Sequence, residues 1–123
     1  MTRERINLGK KGEALALKKI ESLGYRCIAR NYRCPLGEID LIARDGDTLV
    51  FLEIKTRRGR SLGFAKEAIN WRKKRQLSKV ALAYMKAHDC CNVKSRFDIV
   101  AISIQGDVKH IEVVKDAFEL AYG

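Results

Sequence analysis

Apolar residues recur along this chain in two rhythms, and the change from one to the other marks out the elements. From about Leu8 to Leu23 the spacing is helical. Ala16, Leu17, Ile20 and Leu23 fall on one stripe, and Gly24 follows as a C-terminal cap. Tyr25 to Arg33 suits a strand, and Cys34-Pro35-Leu36-Gly37 reads as a turn. Residues 38–57 then read as a β-hairpin with a two-residue turn at Gly46-Asp47 or Asp45-Gly46. Helical spacing returns at Leu77, Val80, Ala81 and Tyr84, with Asn70 as the N-cap and an end near Ala87. Two further strands, 96–104 and 109–116, are joined through Gln105-Gly106-Asp107, and residues 117–122 suit a short closing helical turn. The predicted order is α-β-β-β-α-β-β, an α/β sandwich with a mixed sheet and two main helices. No repeat or linker interrupts it, so residues 1–123 are expected to form one domain.

Within the hairpin, a period of two sorts the polar groups as well. Glu38, Asp40 and Ile42 share one face, with Ile39, Leu41 and Ala43 on the other. The second strand places Leu49, Phe51, Glu53, Lys55 and Arg57 together, with Val50, Leu52 and Ile54 opposite. A turn at Gly46-Asp47 sets Asp40 directly across from Glu53, and Glu38 across from Lys55. Like charges facing each other across a strand pair repel, and the arrangement makes sense with a cation between them. Magnesium takes oxygen ligands, commonly one or two carboxylates plus waters and substrate phosphates. Lys55 would then orient a water or stabilise charge on a phosphate, and the Ile54 carbonyl would be a further ligand. The competing reading is a solvent-facing strand surface on which Lys55 merely neutralises Glu38 and Glu53.

Composition and charge favour a polyanionic partner. The chain has 123 residues, 46% of them hydrophobic and 33% charged, as a folded domain does. Its 25 Lys and Arg against 15 Asp and Glu leave a net charge of +10. The excess is local: between residues 57 and 79, Arg57, Arg58, Arg60, Lys66, Arg72, Lys73, Lys74, Arg75 and Lys79 meet only Glu67. Such a patch points to nucleic acid ahead of an acidic membrane surface or an acidic protein. The apolar runs are far below the roughly 18 residues that cross a bilayer, and no secretory leader pattern is present. A cytoplasmic protein, without a membrane partner, is expected.

Several single residues bear on the same chemistry. Glu13 falls on the inward stripe of the first helix, where an acid is costly unless it is paired, ligated or favoured by the helix dipole. Lys73 heads the buried stripe of the second helix and is placed to point along the same cleft, or else to be one more solvated lysine. Trp71 and Phe64 lie in the basic segment. Packing against the second helix is the expectation for them, ahead of stacking on unpaired bases. Asp98, between Phe97 and Ile99, is expected to pair with a basic neighbour, and His110 to be structural or exposed. Cys27, Cys34, Cys90 and Cys91 form no Cys-x-x-Cys motif and read as reduced thiols rather than a zinc site with His88.

The chain also carries Gly9, Gly12, Glu13 and Ala16 as G-x-x-G-E-x-x-A, then Gly24-Tyr25, Arg30-Asn31, GEIDLIARDG at 37–46, LVFLEIKTR at 49–57 and AINWRKKRQL at 68–77. Together, from about Leu8 to Ile104, these resemble the YraN-like family of small bacterial proteins. That family is grouped with the Holliday-junction-resolvase-like branch of the PD-(D/E)XK nuclease superfamily. The resemblance implies a restriction-endonuclease-like fold and a magnesium-dependent DNA endonuclease, with manganese as an alternative metal and branched or flap DNA as substrate. Asp40 matches the first metal-binding acid, Glu53 the second, Lys55 the lysine and Glu13 the helix-one glutamate. Glu38 and Lys73 match positions that recur in YraN-like sequences. One departure is Ile39, which stands where the superfamily's name has proline. Arg57, Arg58, Arg72, Lys73, Lys74 and Arg75 would hold the DNA backbone. Cutting two strands symmetrically would call for a homodimer, and no feature names a protein partner. The rival from another class is a nucleic-acid-binding accessory module that keeps the fold with little or no cleavage. An enzyme for a small phosphorylated molecule would explain the acids but not the extended basic face.

Overall fold

The computed structural model describes residues 3–59, 69–90 and 92–119. The elements follow the predicted order: α1 (Arg3–Ser22), β1 (Arg26–Cys34), β2 (Gly37–Asp45), β3 (Thr48–Arg58), α2 (Trp71–Ala87), β4 (Ser95–Gln105) and β5 (Val108–Phe118). The strands form one sheet in the order β1-β2-β3-β4-β5. β3 and β4 are its parallel pair, and the other neighbours are antiparallel. Parallel neighbours cannot be joined by a tight turn, and α2 supplies the crossover between them. The result is a restriction-endonuclease-like α/β sandwich.

Each face of the sheet is covered by one helix. Ala16 and Ile20 of α1 pack on Leu41, Ala43, Val50, Leu52, Val100 and Ile102. Leu77, Val80, Ala81, Tyr84 and Met85 of α2 pack on Ile42, Leu49, Phe51, Phe97, Ile99 and Ala101. A sheet buried on both sides needs near-continuous apolar strands. β4 meets this need, with every residue from Phe97 to Ile104 buried.

Some boundaries differ from expectation. α1 begins at Arg3, earlier than Leu8, because the apolar stripe starts later than the helix and Arg3–Asn7 contains no helix breaker. Leu23 is 43% exposed and leaves the stripe. The chain turns there, with Gly24 at φ 92° and the Tyr25 N–H bonded to the Ile20 carbonyl at 3.0 Å, a glycine-favouring helix stop. Asn70 caps α2, its side chain accepting from the Lys73 N–H at 2.9 Å. β5 extends to Phe118, so Ala117 and Phe118 are strand rather than the start of a helical turn. Leu120 onward, the 60–63 part of the glycine-rich loop, Phe64 and Cys91 lie outside the described residues.

The hairpin turn is Gly46-Asp47, with Asp45 opposite Thr48 and Leu41 opposite Leu52. Beyond Leu41–Leu52 the expected pairing stops. Ile39 and Ile42, three residues apart, both pack on the α2 side, as do Ala29 and Tyr32 of β1. In a regular strand, residues three apart face opposite ways. Both strands therefore switch faces together, at Asn31 and Asp40. Asn31 adopts φ 51°, a conformation that Asn tolerates better than most residues. The expectation that Ile39 shares a face with Leu41 and Ala43 fails here, because strict alternation does not survive the switch.

Candidate metal centre and its basic surround

The face switch makes the site. Where β2 parts from β3, the Ile54 N–H on the β2 side is bonded by the Asp40 carboxylate, which accepts it at 2.8 Å. One Asp40 oxygen thus substitutes for a backbone acceptor. Glu53, the next residue after the last paired one on β3, turns toward α2 and its side chain is only 8% exposed. Behind it lies a narrow, largely apolar crevice lined by Ile39, Phe51, Leu52, Leu77, Phe97 and Phe118, with Asp98 also on its wall.

Electrostatics mark the pair as strained. Burial pushes the Glu53 carboxyl up to about 7, with the neighbouring Asp40 charge adding to the rise. Asp40 is also raised, first by burial and then by Glu38, against the stabilising Ile54 hydrogen bond. Two lysines oppose this: Lys55 Nζ and Lys73 Nζ each stand 3.9 Å from Glu53 Oε1. Charge-assisted hydrogen bonds run at about 2.7–2.9 Å, so neither ammonium is locked onto the carboxylate. The structure brings Asp40, Glu53, Lys55 and Lys73 to one place, with Glu38 in electrostatic reach of both acids.

Glu38 does not face Lys55. It pairs with Arg33, its register partner on β1, at 3.3 Å, because the β2–β3 ladder has ended before either residue is reached. Glu13 lies on α1 and accepts from Arg30 at 3.0 Å and from Asn31 at 3.0 Å. It is therefore tied to the residue of β1 at which the strands switch. Among the described residues, no group of three or more His, Cys, Asp or Glu side chains is gathered as a ligand set. Cys27, Cys34 and Cys90 carry free thiols.

The remaining basic residues lie on the two elements that carry Glu53 and Lys73. Arg57 and Arg58 are exposed at the end of β3, Arg72 is exposed on the first turn of α2, and Lys74 and Arg75 are half-buried. Trp71 does not pack in the core: it is 61% exposed. The reason lies in the helix phase. Leu77, Val80, Ala81 and Tyr84 define the buried side, and Trp71 falls well off that stripe at 100° per residue.

A second polar cluster escaped sequence reasoning except for one member. Asp98 is fully buried and accepts from the Tyr25 hydroxyl at 2.7 Å, Arg96 Nε at 3.0 Å and the Asp116 N–H at 2.9 Å. Arg96 is the expected basic neighbour. It also donates to the Tyr25 hydroxyl at 2.8 Å and to Asp45 at 2.7 Å. Burial and the Asp98 acceptor push the Tyr25 hydroxyl far up. The available signal was an acid inside an apolar strand, which implies a cation and further donors, but not which ones. His110 is exposed on β5.

Fold and site together define an α/β protein of the restriction-endonuclease-like arrangement with a buried Glu53 beside a half-buried Asp40 where two strands part. Its sequence matches the model of the uncharacterised protein family UPF0102 over residues 12–102. Relatives carrying the name UPF0102 protein include one from Syntrophus aciditrophicus, 45% identical over 98% of this chain and 94% of the relative. One from Geobacter sulfurreducens is 49% identical over 94% and 91%. One from Caldicellulosiruptor saccharolyticus is 40% identical over 90% and 96%. The chain belongs to UPF0102, the YraN-like family. No helix among the described residues is long and apolar enough to cross a membrane.

Proposed function

We propose that this protein is a metal-dependent DNA endonuclease. The observation that carries the reading is the juxtaposition of half-buried Asp40 and buried Glu53, both raised in pKa first by burial, Glu53 further by the Asp40 charge and Asp40 by that of Glu38, with two lysines that do not close on Glu53. Such a pair is costly without a cation. Two neighbouring carboxylates fit a hard divalent ion such as magnesium, or manganese, which keeps other positions for water and phosphate. Asp40 and Glu53 would hold it, with the Ile54 carbonyl and Glu13 as further ligands, Glu13 after release from Arg30 and Asn31. Bound there, the ion would supply Lewis-acid stabilisation of charge on the phosphate. Lys55 would position the attacking water for in-line displacement. Arg57, Arg58, Arg72, Lys73, Lys74 and Arg75 would hold the strand through its phosphates. Branched or flap DNA is the substrate class carried by the family resemblance, a homodimer the assembly for symmetric cutting, and the cytoplasm the setting.

The rival is a binding module with this fold and little or no cleavage. Its supporting observation is the Glu13 carboxylate turned to Arg30 and Asn31. One experiment separates the two. Magnesium and then manganese are titrated into the protein, reading heat, alongside cleavage of labelled duplex, single-stranded, flap and four-way-junction DNA. The nuclease reading expects metal binding and cutting, with Asp40→Asn and Glu53→Gln lowering cleavage at least 100-fold while DNA binding persists. Salt-sensitive DNA binding with neither metal binding nor cutting would leave the module. Unchanged cleavage in both variants would remove the site assignment.

A further inference from the structure

Lys73 has a fixed root and a free head. It lies in the first turn of α2, where its N–H is held by the Asn70 side chain at 2.9 Å and the Asn70 carbonyl accepts from the Lys74 N–H at 3.0 Å. From that anchored turn the side chain crosses from helix to sheet, and its Nζ stands 3.9 Å from Glu53 Oε1 on β3. Its charge favours the ionised form of both Glu53 and Asp40. Yet the contact is longer than a charge-assisted hydrogen bond of about 2.7–2.9 Å, and the side chain is 35% exposed. An ammonium on a flexible stem can leave such a carboxylate without disturbing the helix that carries it.

The helix itself gives no reason for a cation there. The first turn of α2 carries Arg72, Lys73 and Lys74 and no acid, although the positive end of a helix dipole favours anions. What holds the Lys73 head in place is the carboxylate on the sheet. Lys55 stands equally near Glu53 but comes from the same strand, two residues on. Lys73 is the ammonium that a second element brings. A dication shared with Glu53 would end that attraction and set like charges against each other at short range. Lys73 would then need another anion, and a DNA phosphate is one that lysine binds as a point charge.

We propose that Lys73 is an exchangeable counterion: it neutralises Glu53 in the metal-free protein and passes to a DNA phosphate when a divalent cation takes that carboxylate, so that cation and DNA bind cooperatively through this one side chain. The proposal rests on the metal-and-DNA reading above and adds the link between its two ligands. It separates Lys73 from the basic residues that only hold the strand.

The test uses calcium, a dication with the same class of oxygen ligands, and the full chain at about pH 8.5, where Glu53, titrating at about 7, is ionised. Calcium affinity is read by calorimetry with and without saturating flap DNA, whose integrity is checked on a gel. The ratio of the two affinities is the coupling. In the wild type, DNA is expected to raise calcium affinity about tenfold or more. Lys73→Met should bind calcium alone roughly threefold more tightly, the scale of one partly exposed ion pair, and its coupling should fall by about threefold or more. Lys73→Gln should give the same two readings with a polar head, and Lys73→Arg, a cation on the same root, should keep most of the coupling. Arg72→Met should weaken DNA binding while its coupling stays within about a factor of two of the wild type. No coupling in the wild type, a smaller fall or no gain in calcium affinity in Lys73→Met and Lys73→Gln, or an equal fall in Lys73→Arg or Arg72→Met would overturn the exchange and leave the metal-and-DNA reading standing. Calcium or DNA binding by none of these proteins would overturn both.

Discussion

Glu53 concentrates the energetic tension of this molecule in one side chain. Its carboxyl titrates near 7 in the fold against an ordinary 4.5, so between those values the folded state holds a proton that the unfolded state has lost. Stability tied to that proton is complete below about pH 4.5 and disappears as pH rises through about 7. The metal-free protein should accordingly lose stability across this window relative to Glu53→Gln, which keeps a neutral side chain throughout. Urea unfolding of both proteins at pH 5 and pH 8 reads the difference, with the variant the more stable at pH 8. Magnesium should recover the loss at pH 8, by about 2.7 kcal/mol at a hundredfold excess over its dissociation constant, and recover less at pH 5. A wild type that gained on the variant with rising pH would contradict the burial argument. The identities of Asp40, Glu53, Lys55 and Lys73 as a group were legible in the sequence from their period of two and from Lys73's place at the head of a helical stripe. The partner of Glu38 was not. It depended on where the β2–β3 ladder ends, which no local pattern encodes.

Elements were the most legible scale. Asn70 as a cap and Gly46-Asp47 as a turn follow from side-chain and backbone chemistry that acts over a few residues, and both stand where expected. The joint face switch at Asn31 and Asp40 was not readable, because it is settled by two strands packing at once. The contact between α1 and β3 was equally hidden. A Cβ on Gly12 would run into the Thr56 side chain, so the glycine lets the helix lie close to the strand that carries Glu53 and Lys55. Gly12→Ala should destabilise the fold by roughly 1–3 kcal/mol, the usual range for overpacking. Thr56→Ala in the same chain should return most of that loss, since it removes the atoms in the way. Denaturant midpoints for the two single variants and the double variant form the cycle that checks it. Strict additivity would mean the two elements are not in register at this point.

For the whole molecule, the sheet has two polar centres with separate duties. The Asp98 cluster joins Tyr25 before β1, Asp45 at the end of β2, Arg96 and Asp98 on β4, and Asp116 on β5. Its Asp45 end lies five residues along β2 from Asp40, about 16 Å at about 3.3 Å per residue, whereas Asp98 is the register partner of Leu52, the residue before Glu53. Arg96→Met strands a fully buried carboxylate and should cost about 3–5 kcal/mol. Metal affinity at Asp40 and Glu53 should stay within a factor of two in whatever fraction remains folded. Unfolding curves and calorimetric magnesium titration measure the two quantities separately. Loss of affinity in step with stability would show the centres to be coupled. The existence of one sheet with a helix on each face could be read from the chain; the long-range polar stitching could not, since its members come from three strands and the segment before β1.

One oxygen of Asp40 accepts from the Ile54 N–H, so the side chain serves the sheet as well as the site proposed for it. That arrangement bears on how the family's history should be read. On the nuclease reading proposed above, a relative without cleavage would still benefit from an acceptor at position 40 to close the gap in its sheet, and drift there would be slow. Glu53 and Lys55 have no such second employment. Across relatives, an aspartate at position 40 is therefore weak testimony to a living enzyme, and the fates of Glu53 and Lys55 are the ones to follow.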